Sequence, residues 1–122
     1  MPKTIFVVDD SDLNLSVAKE ALKAEYRVLT MASAAKMFTL IEKITPDLIL
    51  LDILMPEMDG FEALEQLKSN SAQAGIPVIF LSGTFDASTE ERGYQMGVKD
   101  FIEKPFSADE LLARIKTHLH DN

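Results

Sequence analysis

The 122-residue sequence contains no cysteine, which excludes disulfides, thiolate nucleophiles and any zinc or iron–sulfur site built on cysteine. Long apolar runs are also missing: the longest uninterrupted ones fall far short of the ~20 residues a bilayer-spanning helix needs. Met1-Pro2-Lys3-Thr4-Ile5 leads into a short apolar run with neither a signal-peptide hydrophobic region nor a cleavage site, so the expected location is the cytoplasm. Positive charge is scarce. Twelve Lys+Arg stand against 20 Asp+Glu, a formal net charge of −8, with an isoelectric point near 4.6. That balance repels nucleic acid and anionic membrane alike, so neither is expected as a direct partner. Repeats, low-complexity tracts and linkers are absent as well. What is present is 47% hydrophobic and 26% charged, the balance of a soluble globular chain. Residues 1–122 are expected to form a single domain, with roughly two-thirds of the unfolded surface buried.

Four short apolar runs recur at wide spacing: Ile5-Phe6-Val7-Val8, Leu48-Ile49-Leu50-Leu51, Val78-Ile79-Phe80-Leu81 and the shorter Phe101-Ile102. Each is continuous rather than alternating, as parallel strands covered on both faces are. Arg27-Val28-Leu29-Thr30 is more polar and suits an edge. Helical periodicity fills the gaps, with stripes at Leu13, Val17, Ala18, Ala21 and Leu22, at Ala34, Met37, Phe38 and Ile41, and at Phe61, Leu64 and Leu67. The last helix opens on Ser107-Ala108-Asp109-Glu110, the pattern of a reciprocal capping box, ahead of Leu111, Leu112, Ile115 and Leu119. The weakest stripe, about Asp86 to Gln95, suggests a mobile or partner-facing helix. Five strands alternating with five helices give a doubly wound α/β fold, whose function lies at the carboxyl ends of the strands.

Polar residues gather at those ends: Asp9-Asp10 after the first run, Asp52 after the second, Ser82-Gly83-Thr84 after the third and Lys104-Pro105 after the last. Each has a plain structural reading when taken singly. Acids complement a helix N-terminus, a serine before glycine suits a turn, and a lone lysine is a surface charge. One cap needs one acid, however, and a carboxylate at the mouth of a buried strand calls for a partner or a ligand. Three clustered acids repel one another unless a hard divalent cation sits between them, and Mg²⁺ (or Mn²⁺) takes carboxylate and phosphate oxygens together. Asp52 could then attack a phosphoryl group whose oxygens are neutralised by the cation, Lys104 and the Ser82 hydroxyl. Asn14 faces either this site or solvent. His118 and His120, at the end of the last helix, lack the further ligands of a zinc site.

These pieces, with Pro46-Asp47 before the second run, Met55-Pro56-Glu57-Met58-Asp59-Gly60 after it and Glu103-Lys104-Pro105-Phe106 at the end, resemble in order and spacing the response-regulator receiver domains of two-component signalling. The resemblance covers essentially the whole chain. It implies a flavodoxin-like sheet of order 2-1-3-4-5. It also implies phosphorylation of Asp52 by a sensor histidine kinase or phosphotransfer protein, and Mg²⁺ held by Asp9, Asp10, Asp52 and the Leu54 carbonyl. Ser82 and Lys104 would bind the phosphoryl group, and Phe101 would be the aromatic switch that turns inward as the loop after the fourth strand closes. A cis Lys104–Pro105 bond is implied as well, with Gly60 allowing a tight entry into the third helix and Asp59 as its N-cap. Leu54 and Thr84 would flank the path of a hydrolytic water. The output face would run from about Asp86 to His120, acting on an unidentified partner or further domain, or through a phosphorylation-dependent homodimer. The chain departs from the commonest pattern in carrying Ser82 for threonine, Gly83 for alanine and Phe101 for tyrosine; lacking a hydroxyl, an inward Phe101 rests on packing alone.

Two other readings differ in class. Asp10-Ser11-Asp12 imitates the Asp-x-Asp of haloacid-dehalogenase-like phosphatases, but it leaves Asp52 without a role, no acidic pair follows Lys104, and the chain is short for a cap-bearing enzyme. The sequence is therefore expected to encode a phosphorylated switch rather than an enzyme. An interaction module independent of phosphorylation would tolerate loss of Asp52 or Lys104, and neither is lost.

Overall fold

The computed structural model describes residues 2–83 and 86–119. Its strands are β1 (Thr4–Val8), β2 (Arg27–Met31), β3 (Leu48–Asp52), β4 (Val78–Ser82) and β5 (Asp100–Glu103), and its helices α1 (Asp12–Leu22), α2 (Ala34–Ile41), α3 (Gly60–Ser69), α4 (Ala87–Met96) and α5 (Ala108–His118). The strands pair in parallel in the order β2-β1-β3-β4-β5. The continuous apolar runs explain this placement: every residue of β1, β3 and β4 is buried, as interior strands covered on both faces require. Arg27 and Thr30 are exposed, which fits β2 to the edge.

Alternation along the strands divides the interior into two cores. Phe6, Val8, Ile49, Leu51, Val78, Phe80 and Phe101 point to the side covered by α2, α3 and α4. Ile5, Val7, Leu48, Leu50, Ile79, Leu81 and Ile102 point to the side covered by α1 and α5. Each helix starts on a short polar side chain that accepts from a backbone N–H three residues on: Ser11, Ser33, Asp59, Asp86 and Ser107. The low-apolar segment after Asp86 is a helix of the expected extent.

Two expectations are corrected. Leu13 lies outside the buried stripe of α1 at 72% exposure. The packing phase is set instead by Leu15, Ala18 and Leu22, three- and four-residue steps that turn Leu13 toward solvent. The reciprocal capping box expected at α5 is half made: Ser107 Oγ accepts from the Glu110 N–H at 3.1 Å, while the Glu110 carboxylate lies 3.9 Å from the Arg114 guanidinium, one turn along. The complete box is at α3, where Asp59 Oδ1 accepts from the Glu62 N–H at 2.8 Å and Glu62 Oε1 accepts from the Asp59 N–H at 3.0 Å.

Candidate functional site

Parallel strands deliver their carboxyl ends to one edge of the sheet, and the residues there belong to four different strands. Asp9 follows β1, Asp52 ends β3, Ser82 ends β4 and Lys104 follows β5. Oxygens of Asp9, Asp10 and Asp52 all lie within 4.8 Å of one another. The Lys104 ammonium bridges two of these acids, 2.8 Å from Asp52 Oδ1 and 3.0 Å from Asp9 Oδ2.

Asp9 is wholly buried, and a carboxylate there persists only if its lone pairs are met. Lys104 supplies one partner, the Ser11 N–H donates to Oδ1 at 2.9 Å, and Asn14 Nδ2 donates to Oδ2 at 3.2 Å. Asn14 therefore belongs to the site, which the sequence left open; its place one turn beyond Asp10 was the only signal. Ser11 Oγ caps α1 by itself, so neither Asp9 nor Asp10 serves as the cap.

Asp52, with 3% exposure, has its pKa raised from 3.8 to about 6. Burial is the main cause and the Asp9 and Asp10 charges add to it, against the Lys104 hydrogen bond and charge, which pull it down. At Lys104 burial favours the neutral amine, but the hydrogen bonds and charges of Asp52 and Asp9 outweigh it and raise the pKa. One ammonium thus faces three carboxylates, two of them buried. That excess of hard oxygen donors fits a divalent cation such as Mg²⁺.

The loop after β3 is shaped by backbone contacts. Gly60 N–H donates to the Ile53 carbonyl at 2.7 Å, and a Cβ on Gly60 would lie 2.6 Å from the Asp52 carbonyl oxygen and 2.8 Å from Ile53 Cα. Only glycine allows that approach, so the tight entry into α3 is observed. Glu57 carries a left-handed φ of 71° within the same loop. Leu54 stands over the site at 70% exposure, and a cleft of about 290 Å³ opens between it, Ser82 and Arg92 of α4. Ser82 is buried. The Lys104–Pro105 bond is cis. Thr84 and His120 lie outside the described residues. His118 pairs with Asp100, Nε2 to Oδ2 at 3.0 Å, a contact within the fold.

Phe101 is 3% exposed, its ring turned into the core. It meets Phe80 edge-on at 5.6 Å and Tyr94 at 5.3 Å, and Phe80 meets Phe61 at 5.1 Å. The Arg92 guanidinium carbon sits 4.0 Å above the Phe61 ring. These four rings run from the start of α3, through β4 and β5, to α4.

The family described as "Response regulator receiver domain" matches residues 5–116. This chain belongs to that family. Receiver domains act as phosphorylated signalling switches, carry an acidic pocket for Mg²⁺, and work with histidine kinases or phosphotransfer proteins and output domains. This receiver is similar to the polar-differentiation response regulator DivK of Brucella anthropi, at 33% identity over 122 residues covering 99% of both chains. It is 38% identical over 118 residues to a probable cyclic di-GMP phosphodiesterase of Vibrio cholerae, covering 97% of this chain and 27% of that one. The receiver thus spans about a quarter of that relative's length, and under half of two others. Among solved structures it resembles the Vibrio cholerae chemotaxis protein CheY4, with a TM-score of 0.92, 26% identity, and coverage of 98% of this chain and 100% of that one. Among the described residues of this receiver, no helix is long and apolar enough to cross a membrane.

Proposed function

We propose that residues 1–122 form one cytoplasmic receiver domain in which Asp52 accepts a phosphoryl group from a sensor histidine kinase or a phosphotransfer protein. The observation that carries this reading is the position of Asp52: a buried carboxylate at the mouth of the sheet, paired with Lys104 and crowded by two further acids. One Asp52 oxygen attacks phosphorus as the bond from phosphorus to the donor breaks, and the departing electron pair stays with the donor. Asp9, Asp10, Asp52 and the Leu54 carbonyl would hold Mg²⁺ or Mn²⁺. That cation, when bound, supplies positive charge against the phosphoryl oxygens. Lys104 neutralises a second oxygen, and the Ser82 hydroxyl donates to a third once the loop beyond β4 closes.

The new group adds negative charge and acceptor oxygens that only the closed arrangement satisfies, so it biases a two-state element. Phe101 in its inward position marks that element, and the α4–β5–α5 face carries the change to a separate protein, a further domain or a second copy. Pro105 holds the chain after Lys104 in its turn, while Leu54 sets how water reaches the phosphate.

The test is incubation with Mg²⁺ and acetyl phosphate, read by intact mass, with Asp52→Asn and chelator as controls. A single labile phosphoryl adduct, lost in both controls, is expected. An absent adduct together with absent Mg²⁺ binding would replace this reading with a module that docks without phosphorylation. Sustained turnover of a phosphomonoester would replace it with a phosphatase.

A further inference from the structure

Gly93 occupies the middle of α4, where glycine is the poorest helix former after proline. Its φ is not in the left-handed region, so conformational freedom does not account for it. Space does. A Cβ on Gly93 would lie 2.5 Å from Phe101 Cζ, 3.0 Å from Cε1 and 3.3 Å from Val98 Cγ2. The Phe101 ring cannot retreat inward, because Phe80 lies against it on the sheet side and Tyr94 on another.

The residues on either side of Gly93 contact the two ends of the Phe61–Phe80–Phe101 part of the same aromatic chain. Arg92 covers Phe61 and Tyr94 abuts Phe101, so three consecutive positions of α4 meet the Phe61–Phe80–Phe101 chain at both of its ends. Phe80 and Ser82 alternate onto the same side of β4, and α4 begins at its Asp86 cap only four residues beyond Ser82. A helix pushed away from Phe101 therefore also moves away from Ser82, with which Thr89 and Arg92 of α4 line one cleft.

We propose that Gly93 is a positioning residue of the switch: by presenting no side chain to the sheet it forms the seat that holds Phe101 inward and α4 close to Ser82. A β-carbon there displaces Phe101 or α4 and weakens the link between modification of Asp52 and the α4–β5–α5 face. The role in signalling rests on the reading of Asp52 as phosphoryl acceptor; the seat itself does not.

The test uses the full chain with Gly93→Ala, Phe101→Ala and the double variant. Ring-to-ring nuclear Overhauser contacts among Phe80, Phe101 and Tyr94, recorded on unmodified protein, report the seat. Gly93→Ala is expected to lose them and to lower the thermal midpoint, although alanine favours a helix over glycine. Adding it to Phe101→Ala is expected to lower the midpoint no further, since the clash is already gone. The acetyl phosphate needed for half-maximal modification is expected to rise about fivefold or more in Gly93→Ala, with Mg²⁺ affinity unchanged because the three acids lie on other elements. Retained ring contacts in Gly93→Ala, or additive losses in the double variant, would overturn the seat. Lost contacts with unchanged modification would overturn the link to the switch. An unmodified parent chain would instead count against the Asp52 reading, with the ring contacts and the double variant still deciding whether Gly93 is a seat.

Discussion

At Asp52 the physics of burial and the needs of chemistry pull in opposite directions. The folded protein holds a proton on this carboxyl to about pH 6, whereas the unfolded chain releases it near 3.8. A pKa raised by folding means the native state binds more protons in that window, so stability falls as pH rises from about 4 to 6. A pKa raised from 3.8 to about 6 corresponds to on the order of 3 kcal/mol at neutral pH without a cation. Asp52→Asn removes that burden together with the attraction of Lys104, and is expected to stabilise the chelated protein by on the order of 2 kcal/mol at pH 7. Urea denaturation at pH 4, 5 and 7 checks this: the gap between variant and parent should narrow toward pH 4, and a gap independent of pH would contradict the account. Asp52 was legible in the sequence because an acid ends an apolar run there. The hydrogen bond from Asn14 to Asp9 was not, since a polar residue early in a helix reads equally as solvent-facing.

Among the elements, the strands were the most legible, because a parallel strand covered on both faces must be apolar at every position, and few other structures require that over four or five residues. The helices were less so. Asp59-Gly60-Phe61-Glu62 and Ser107-Ala108-Asp109-Glu110 carry the same capping pattern, yet only the first closes in both directions, because Glu110 has Arg114 one turn away and Glu62 has no such competitor. Asp59→Ala is accordingly expected to cost about 1 kcal/mol, measured by chemical denaturation. Leu13 shows the other failing of pattern reading: at the first turn the apolar stripe has no earlier residue to fix its phase. For α4 the low apolar content was read as weakness, whereas the helix is gripped through a glycine and a cation over a ring, contacts that leave no trace in hydrophobic periodicity.

For the molecule as a whole, −8 of formal charge and three converging acids make cation binding and stability one quantity. Anything that binds the native state alone stabilises it by mass action, about 2.7 kcal/mol at a hundredfold excess over Kd. Mg²⁺ at that excess is expected to raise the unfolding free energy measured in urea by this increment, and Asp10→Asn, whose side chain is exposed, should lose most of it while still folding. An equal rise in parent and variant would place the ion elsewhere. The topology was legible through the resemblance, and the site because its residues mark the ends of apolar runs. What pattern could not supply was the third dimension linking α4 to the sheet.

Lys104 is also the last of the site's charged residues to be synthesised. Until β5 pairs with β4, Asp9 and Asp52 face each other across a finished central sheet with no ammonium between them, and a nascent chain halted before that point holds two uncompensated acids in its interior. Domains emerge and fold from the N-terminus onward, so the final strand brings both the missing edge and the missing charge. Under the role proposed for Asp52, a chain that lacks β5 lacks the ammonium that would meet the phosphoryl oxygens.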